Sequence, residues 1–282
     1  MTTNEPNPPY ALGYTNAEHE RLIRQAARLA PSTERFFRAA GIGPGQRVLD
    51  LGSGPGDVAM LLSRLVGPEG AVVGVERDTR SIARARARVA EAGLRNVTFT
   101  QSDVAEVASD EPFDAAVGRF ILMFLSDPAG VLRSVMPRVR AGGVVAFYEV
   151  CWAPTVLLSA HLPLWSAVVS LVPRILRRAG ANTEMGLALH RIFQEAGLPA
   201  PAMQMEIPLG TDPEFIRWMF DLLDTVRPQI PPLDPALETL GDLDTLALRL
   251  QAEVVASNTV VPWVGLVGAW SRNPAPEASH SS

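Results

Sequence analysis

The sequence predicts an α/β fold, a mostly parallel sheet flanked by helices and extended by apolar helical insertions. Two observations carry this reading. Between Arg47 and Val150, short β-branched runs alternate with amphipathic helical stretches, the pattern of right-handed βα units. The first of those runs, Val-Leu-Asp-Leu at 48–51, passes directly into Gly-Ser-Gly-Pro-Gly-Asp at 52–57. Such a strand–turn–helix junction lets backbone amides approach a ligand at the carboxyl edge of a parallel sheet.

Residues 1–16 are rich in Pro, Asn and Tyr and read as irregular. A helix is expected over 17–29, with Leu22, Ala26 and Leu29 on one face, and a second short helix over 32–40 before the turn at 41–45. Arg47–Leu51 is the first strand. The helix over 57–65 presents Val58, Leu61, Leu62 and Leu65 to the sheet. The alternation repeats with a strand at 71–75, a helix at 79–92, strands at 97–100 and 114–118, a helix at 128–139 despite Pro137, and a long strand at 143–150. Arg84, Arg86 and Arg88 read as a solvated helix face.

After Val150 the alternation stops. The apolar stretch 152–178 is expected to be helical in two pieces, interrupted by Pro163 and Pro173. A helix follows at 187–196, a returning strand at 203–207, helices at 212–226 and 235–256, and a last strand at 259–270 with a bend near Pro262. The organisation expected is an amino-terminal helical lid (1–40), a core (41–150), a hydrophobic helical insertion (151–200), a carboxyl-terminal part of the sheet with its own helical insertion (201–272), and a flexible tail (273–282). No internal repeat or separately folding second domain is visible.

Composition narrows the function classes. The 282 residues are 47% hydrophobic and 20% charged, with 25 basic and 30 acidic side chains for a net charge of -5. That balance fits a globular protein and offers no general basic surface for duplex nucleic acid. One cysteine cannot form an internal disulfide, and four dispersed histidines make no metal cluster. The amino terminus lacks the sections of a secretory signal. The apolar run 156–172 contains His161 and Pro163, so it reads as a buried insertion; a membrane span needs roughly 20 apolar residues. A cytoplasmic protein without a resident metal is expected.

The glycine-rich turn alone leaves several ligands open. A helix amino terminus attracts phosphate, but no Lys-Ser/Thr follows as a P-loop requires. The dinucleotide spacing is incomplete, because Gly56 stands only two residues after Gly54.

Taken with the later strand ends, the chain resembles the class I S-adenosylmethionine-dependent methyltransferases. The resemblance rests on Val-Leu-Asp-Leu-Gly-Ser-Gly-Pro-Gly-Asp at 48–57, Val-Val-Gly-Val-Glu at 72–76, Thr-Gln-Ser-Asp at 100–103, Phe-Asp-Ala-Ala-Val-Gly-Arg-Phe at 113–120 and Ala-Gly-Gly-Val-Val at 141–145. It implies a Rossmann-like sheet, mostly parallel with an antiparallel final strand. It further implies S-adenosylmethionine as cofactor, released as S-adenosylhomocysteine. Gly52, Ser53, Gly54 and Gly56 would shape the pocket, with Asp50 supporting the loop or approaching the methionine part. Glu76, beside Arg77, would receive the ribose hydroxyls, and Asp103 the adenine amino group next to Val104. Arg119 and Phe120 would lie near the methionine part. Tyr10–Tyr14 and the helix after it resemble small-molecule members of the family, which makes Tyr14 and Gln25 cofactor-side candidates.

The acceptor side is less legible. Trp152, Leu157, Leu158, Leu162 and Trp165 are expected either to surround an apolar acceptor or to form the core of their own lid. Glu149 and Tyr148 end a strand at the expected reaction edge, where a carboxylate or phenol could move a proton or anchor an oxygen; the alternative for Glu149 is a supporting hydrogen bond to a neighbouring group without contact to the acceptor. His161 is a further candidate base and substrate contact. Cys151 and His190 read as packing residues. The Arg-Phe-Ile-Leu run at 119–122 argues against the exocyclic-amine pattern of DNA and glutamine methyltransferases, while N-, O- and C-methylation stay open. The expected partner is a small, largely apolar acceptor rather than nucleic acid, and self-association as a homodimer is left open. A noncatalytic cofactor-binding protein and a macromolecular methyltransferase stand as alternatives.

Overall fold

The computed structural model describes residues 12–230 and 234–275. Tyr10 and most of the expected tail lie outside them. Seven strands form one sheet in the order β3-β2-β1-β4-β5-β9-β6. The parallel part comprises β1 (Arg47–Leu51), β2 (Ala71–Glu76), β3 (Val97–Gln101), β4 (Phe113–Arg119) and β5 (Val139–Cys151). Strand β9 (Gly265–Arg272) pairs antiparallel to β5, and β6 (Ala202–Glu206) pairs antiparallel to β9 at the sheet edge. Helices α2 (Asp57–Val66), α3 (Thr79–Glu91) and α4 (Pro128–Val135) make the crossovers, so the sheet is the mostly parallel one with an antiparallel last strand that the sequence implied. Every residue of β1 after Arg47 is buried, as expected for a strand covered on both faces.

The amino-terminal region departs from expectation. In place of two helices there is one, α1 (Asn16–Ala39), running through Pro31. Proline removes one hydrogen bond from a helix interior, but Leu29, Phe36 and Phe37 on the buried face hold the segment together. Phe36 stacks on Tyr148 with ring centroids 4.8 Å apart. It also occupies the space where a Cβ on Gly268 would stand, 2.4 Å from the ring. Thr15 caps the helix, its hydroxyl accepting the Glu18 N–H at 3.1 Å.

Beyond β5, α5 (Ala153–Leu158) and α6 (Pro163–Arg178) are the two expected pieces. The break falls before Pro163, which starts α6; Pro173 sits inside the helix with Val169, Val172 and Leu176 packed around it. Helix α7 (Met185–Glu195) covers the sheet. The short strands β7 (Leu209–Gly210) and β8 (Val261–Pro262) pair separately, and α8 (Pro213–Val226) packs on α6 and α1. The single helix expected over 235–256 is divided at Gly241, whose φ of 59° ends α9 (Ala236–Leu240) before α10 (Leu246–Ala256). Helix α4 is shorter than expected because Pro137 turns Met136–Arg138 into a 3-10 turn. Asn273, expected to open a flexible tail, is buried and donates its side-chain amide to the Val139 carbonyl at 2.6 Å. No helix among the described residues is long and apolar enough to cross a membrane.

Candidate active site

At the carboxyl ends of β1, β2 and β4 the glycine turn encloses one side of a cavity. Gly52 and Gly54 have φ of 68° and 51°, left-handed values that a side chain would strain. The Gly52 and Ser53 N–H groups both donate to the Val75 carbonyl, at 2.9 and 3.0 Å. The turn is thereby fastened to β2. Glu76, the last residue of β2, accepts the Gly54 N–H at 3.1 Å on one oxygen and the Arg77 and Asp78 N–H groups at 2.8 and 2.9 Å on the other. Three bonds leave a carboxylate with capacity for a further donor.

Behind the turn, Asp50 is buried with one oxygen lacking a hydrogen-bond partner. Burial pushes its carboxyl up to about 8, opposed by the Arg119 guanidinium. Arg119 is half-buried and donates to the Thr33 hydroxyl at 2.9 Å; desolvation lowers its pKa, and Asp57 and Asp50 counter that. Arg88, expected to be solvated, instead bridges Asp57 at 2.8 Å and donates to the Pro55 carbonyl at 2.6 Å. It braces the turn from α3. Burial raises the Asp57 pKa against the pull of Arg88 and Arg119.

Helix α1 closes the same space. Tyr14 accepts from Arg77 Nε at 3.0 Å, and His19 Nε2 lies 3.0 Å from the Ser81 hydroxyl, which itself bonds Asp78. Glu18 takes two bonds from Arg21, at 2.7 and 2.6 Å, while Arg21 donates to Gln25 at 2.9 Å. These side chains are buried. The same cavity also has an apolar lining, contributed by Met123, Phe124, Trp152, Leu176, Leu222 and Trp263. Trp263 is stacked on Trp218 with ring centroids 3.7 Å apart.

Of the residues singled out from the sequence, Tyr14, Gln25, Gly52, Ser53, Gly54, Glu76, Arg77, Asp103, Val104, Arg119, Phe120 and Trp152 line this cavity. Gly56 does not; its φ is 87°, and a Cβ there would meet Ala85 at 3.1 Å and Phe99 at 3.2 Å. It serves the close packing of the turn on α3. Asp50 sits behind the loop.

The three proton-handling candidates lie off the cavity wall. Glu149 is fully buried and accepts the Ile121 and Leu122 N–H groups. Tyr148 is turned toward α1 and β6, where its hydroxyl bonds Glu206. His161 is exposed, 3.4 Å from the Thr259 hydroxyl. Leu158 is also exposed, and Trp165 is buried in the packing of α6. Cys151 is a packed thiol donating to Glu184 at 3.1 Å, and burial pushes it up to about 12.

Sequence reasoning missed His19, Arg21 and Ser81 on the polar side, and Met123, Phe124, Leu176, Leu222 and Trp263 on the apolar side. The first group carried a signal, since Glu18, Arg21, Leu22 and Gln25 recur at helical spacing. The second group comes from four separate segments and carried none. Among the described residues no group of three His, Cys, Asp or Glu side chains converges as metal ligands do.

The fold and the strand-end carboxylates agree with a methyltransferase, and comparison with known proteins shows the family. Residues 42–197 match the family described as a methyltransferase domain. The chain belongs to the class I S-adenosylmethionine-dependent methyltransferases. It is 32% identical over 140 residues to an arsenite methyltransferase from Halobacterium salinarum, covering 49% of this chain and 36% of that relative. It is 34% identical over 112 residues to the ubiquinone/menaquinone biosynthesis C-methyltransferase UbiE of Vibrio vulnificus, covering 39% and 43%. The matched stretch is thus less than half the length of either relative. A SAM-dependent methyltransferase from Aquifex aeolicus shares the fold with a TM-score of 0.51 at 19% identity, over 69% of this chain and 92% of that one.

Proposed function

We propose that this protein transfers the methyl group of S-adenosylmethionine to a small, largely apolar acceptor by in-line displacement. One observation carries the reading: a single cavity joins the glycine turn, Glu76 and Asp103 to an apolar lining. The residues fit the cofactor. A Cβ on Gly54 would meet nothing within 4 Å, so open space lies over the turn beside a carboxylate with spare acceptor capacity. In this reading Glu76 receives the ribose hydroxyls, Asp103 the adenine amino group, and Arg119 with Phe120 adjoins the methionine part. Tyr14, just before α1, and Gln25, within it, cover the site.

When bound, the cofactor supplies an electrophilic methyl group on a positively charged sulfur. The chain's own contribution is placement and dehydration. The turn and α1 hold one reactant, while Met123, Phe124, Trp152 and Trp263 confine the other and keep competing water out. Glu149, Tyr148 and His161 lie off the cavity wall, so rate enhancement rests on proximity and on an acceptor atom that is already nucleophilic. The named relatives, an arsenite methyltransferase and a ubiquinone/menaquinone biosynthesis C-methyltransferase, support a small acceptor, while its apolar character rests on the cavity lining alone.

The test is incubation with a library of small acceptors and methyl-labelled S-adenosylmethionine, with products located by mass spectrometry. A labelled apolar product is expected. Tight S-adenosylhomocysteine binding with no product from any acceptor would instead mark a binding protein.

A further inference from the structure

One short segment contributes several neighbouring side chains to the cavity. Phe120, Ile121, Met123, Phe124 and Leu125 all reach its wall, directly after β4. Its only regular element is the 3-10 turn Leu122–Phe124, which has no side-chain cap from its own first residue. The leading N–H groups of such a turn have no partner within it and need one from elsewhere when buried. Phe120 has φ 57°, a left-handed conformation that a bulky side chain adopts only under constraint. Ile121 is packed closely on both sides: a Cβ on Gly52 would lie 2.6 Å from its Cδ1, and one on Gly118 2.7 Å from its Cγ2.

Glu149 supplies the missing restraint from the neighbouring strand. Its Oε1 accepts the Ile121 N–H at 3.0 Å and the Leu122 N–H at 2.8 Å, and the side chain is fully buried. The Phe120 N–H donates to the Tyr148 carbonyl at 3.0 Å, and the far end is held where Asn182 N–H donates to the Met123 carbonyl at 2.8 Å. Glu149 therefore grips the segment where the leading N–H groups of the turn have no bond of their own.

We propose that Glu149 is a positioning residue, fixing segment 120–125 as the partition between the cofactor half and the acceptor half of the cavity. The inference rests on the acceptor reading given above. It needs an acceptor oxygen at this position rather than a base, so glutamine should serve in place of glutamate.

The test compares the full-length protein with Glu149→Gln and Glu149→Ala. Amide hydrogen exchange over residues 119–125 reads the restraint itself, and titration calorimetry with 2-naphthol, in the presence of S-adenosylhomocysteine, reads the acceptor half. Glu149→Gln should stay within about 3-fold of the parent in both. Glu149→Ala should exchange at least about 10-fold faster in this segment, with no change in β3, and should bind 2-naphthol about 10-fold more weakly. Unchanged exchange and affinity in Glu149→Ala overturn the proposal, as does a 10-fold loss in Glu149→Gln. If Glu149→Ala does not fold, Glu149→Gln decides by the same criterion. If the parent protein takes no 2-naphthol, the apolar-acceptor reading fails by itself, and the exchange rates still decide whether Glu149 restrains the segment.

Discussion

Gly54 and Glu76 are joined by a 3.1 Å hydrogen bond from the backbone N–H of one to the carboxylate of the other. The bond runs from the turn after β1 to the end of β2, so the carboxylate that orders the turn also lines the cavity, where the proposed function has it meet the ribose. Glu76→Ala should lose both. A bond to a charged group contributes about 1.5–3 kcal/mol, which corresponds to roughly 10- to 100-fold in S-adenosylhomocysteine affinity. Calorimetric titration measures it, and unchanged affinity would remove Glu76 from the ribose site.

Gly52→Ala tests the turn from the other side. The new Cβ would stand 2.6 Å from Ile121 Cδ1, at a backbone φ of 68°. Strain and overpacking of this kind cost about 1–3 kcal/mol. Cofactor affinity should fall together with thermal stability, whereas Gly54→Ala, with open space above it, should carry the φ penalty alone and destabilise less.

Trp263→Leu should separate the acceptor half from the cofactor half. The stack on Trp218 is lost, worth about 0.5–1.5 kcal/mol beyond burial. Once an acceptor is known, its KM should rise several-fold while S-adenosylhomocysteine affinity stays within about 2-fold. Equal loss of both affinities would place Trp263 in the general packing instead.

His161→Ala and Tyr148→Phe should leave turnover within about 2-fold, because neither side chain reaches the cavity: His161 is exposed, where changes have small effects, and Tyr148→Phe keeps the buried ring and loses only the hydroxyl that bonds Glu206. A loss of turnover of about 100-fold in either variant would be the signature of general acid–base chemistry and would contradict the placement described here.

Stability should depend on pH through Asp50 and Glu149, whose burial lifts both carboxyl groups from 3.8 and 4.5 to about 8. With the folded pKa above the unfolded one, the native state holds more protons between these values. Unfolding free energy therefore falls as pH rises from about 5 to 8 and levels off above. Thermal melts across this range should show the decline, and Asp50→Asn and Glu149→Gln should each make it shallower. A melting temperature that rises with pH in the parent would reject the assignment.

The cofactor half was legible because its information is local. The strand, the turn and the next strand end lie within residues 48–76, where period and glycine spacing speak directly to backbone geometry. Element type was equally readable, although the two helices expected over 17–29 and 32–40 are one, running through Pro31. The apolar face formed by Leu29, Phe36 and Phe37 overrides the single lost hydrogen bond. The acceptor half was illegible for the converse reason. Nothing in the local pattern around Leu176, Leu222 or Trp263 distinguishes a cavity-facing side chain from a core one. Glu149 was readable as important from its place at a strand end, but its direction was not, since only the path of Ile121 and Leu122 shows what it bonds.

The apolar wall is assembled from the segments around Phe124, Trp152, Leu176, Leu222 and Trp263, while the polar wall draws chiefly on α1 and on the run from Gly52 to Val104. Such a division makes the molecule modular in its inheritance. On the proposed function, substitutions scattered through the later segments would exchange one acceptor for another without touching the glycine turn or Glu76. Redesign would begin at Leu176 and Leu222, which line the cavity from α6 and α8.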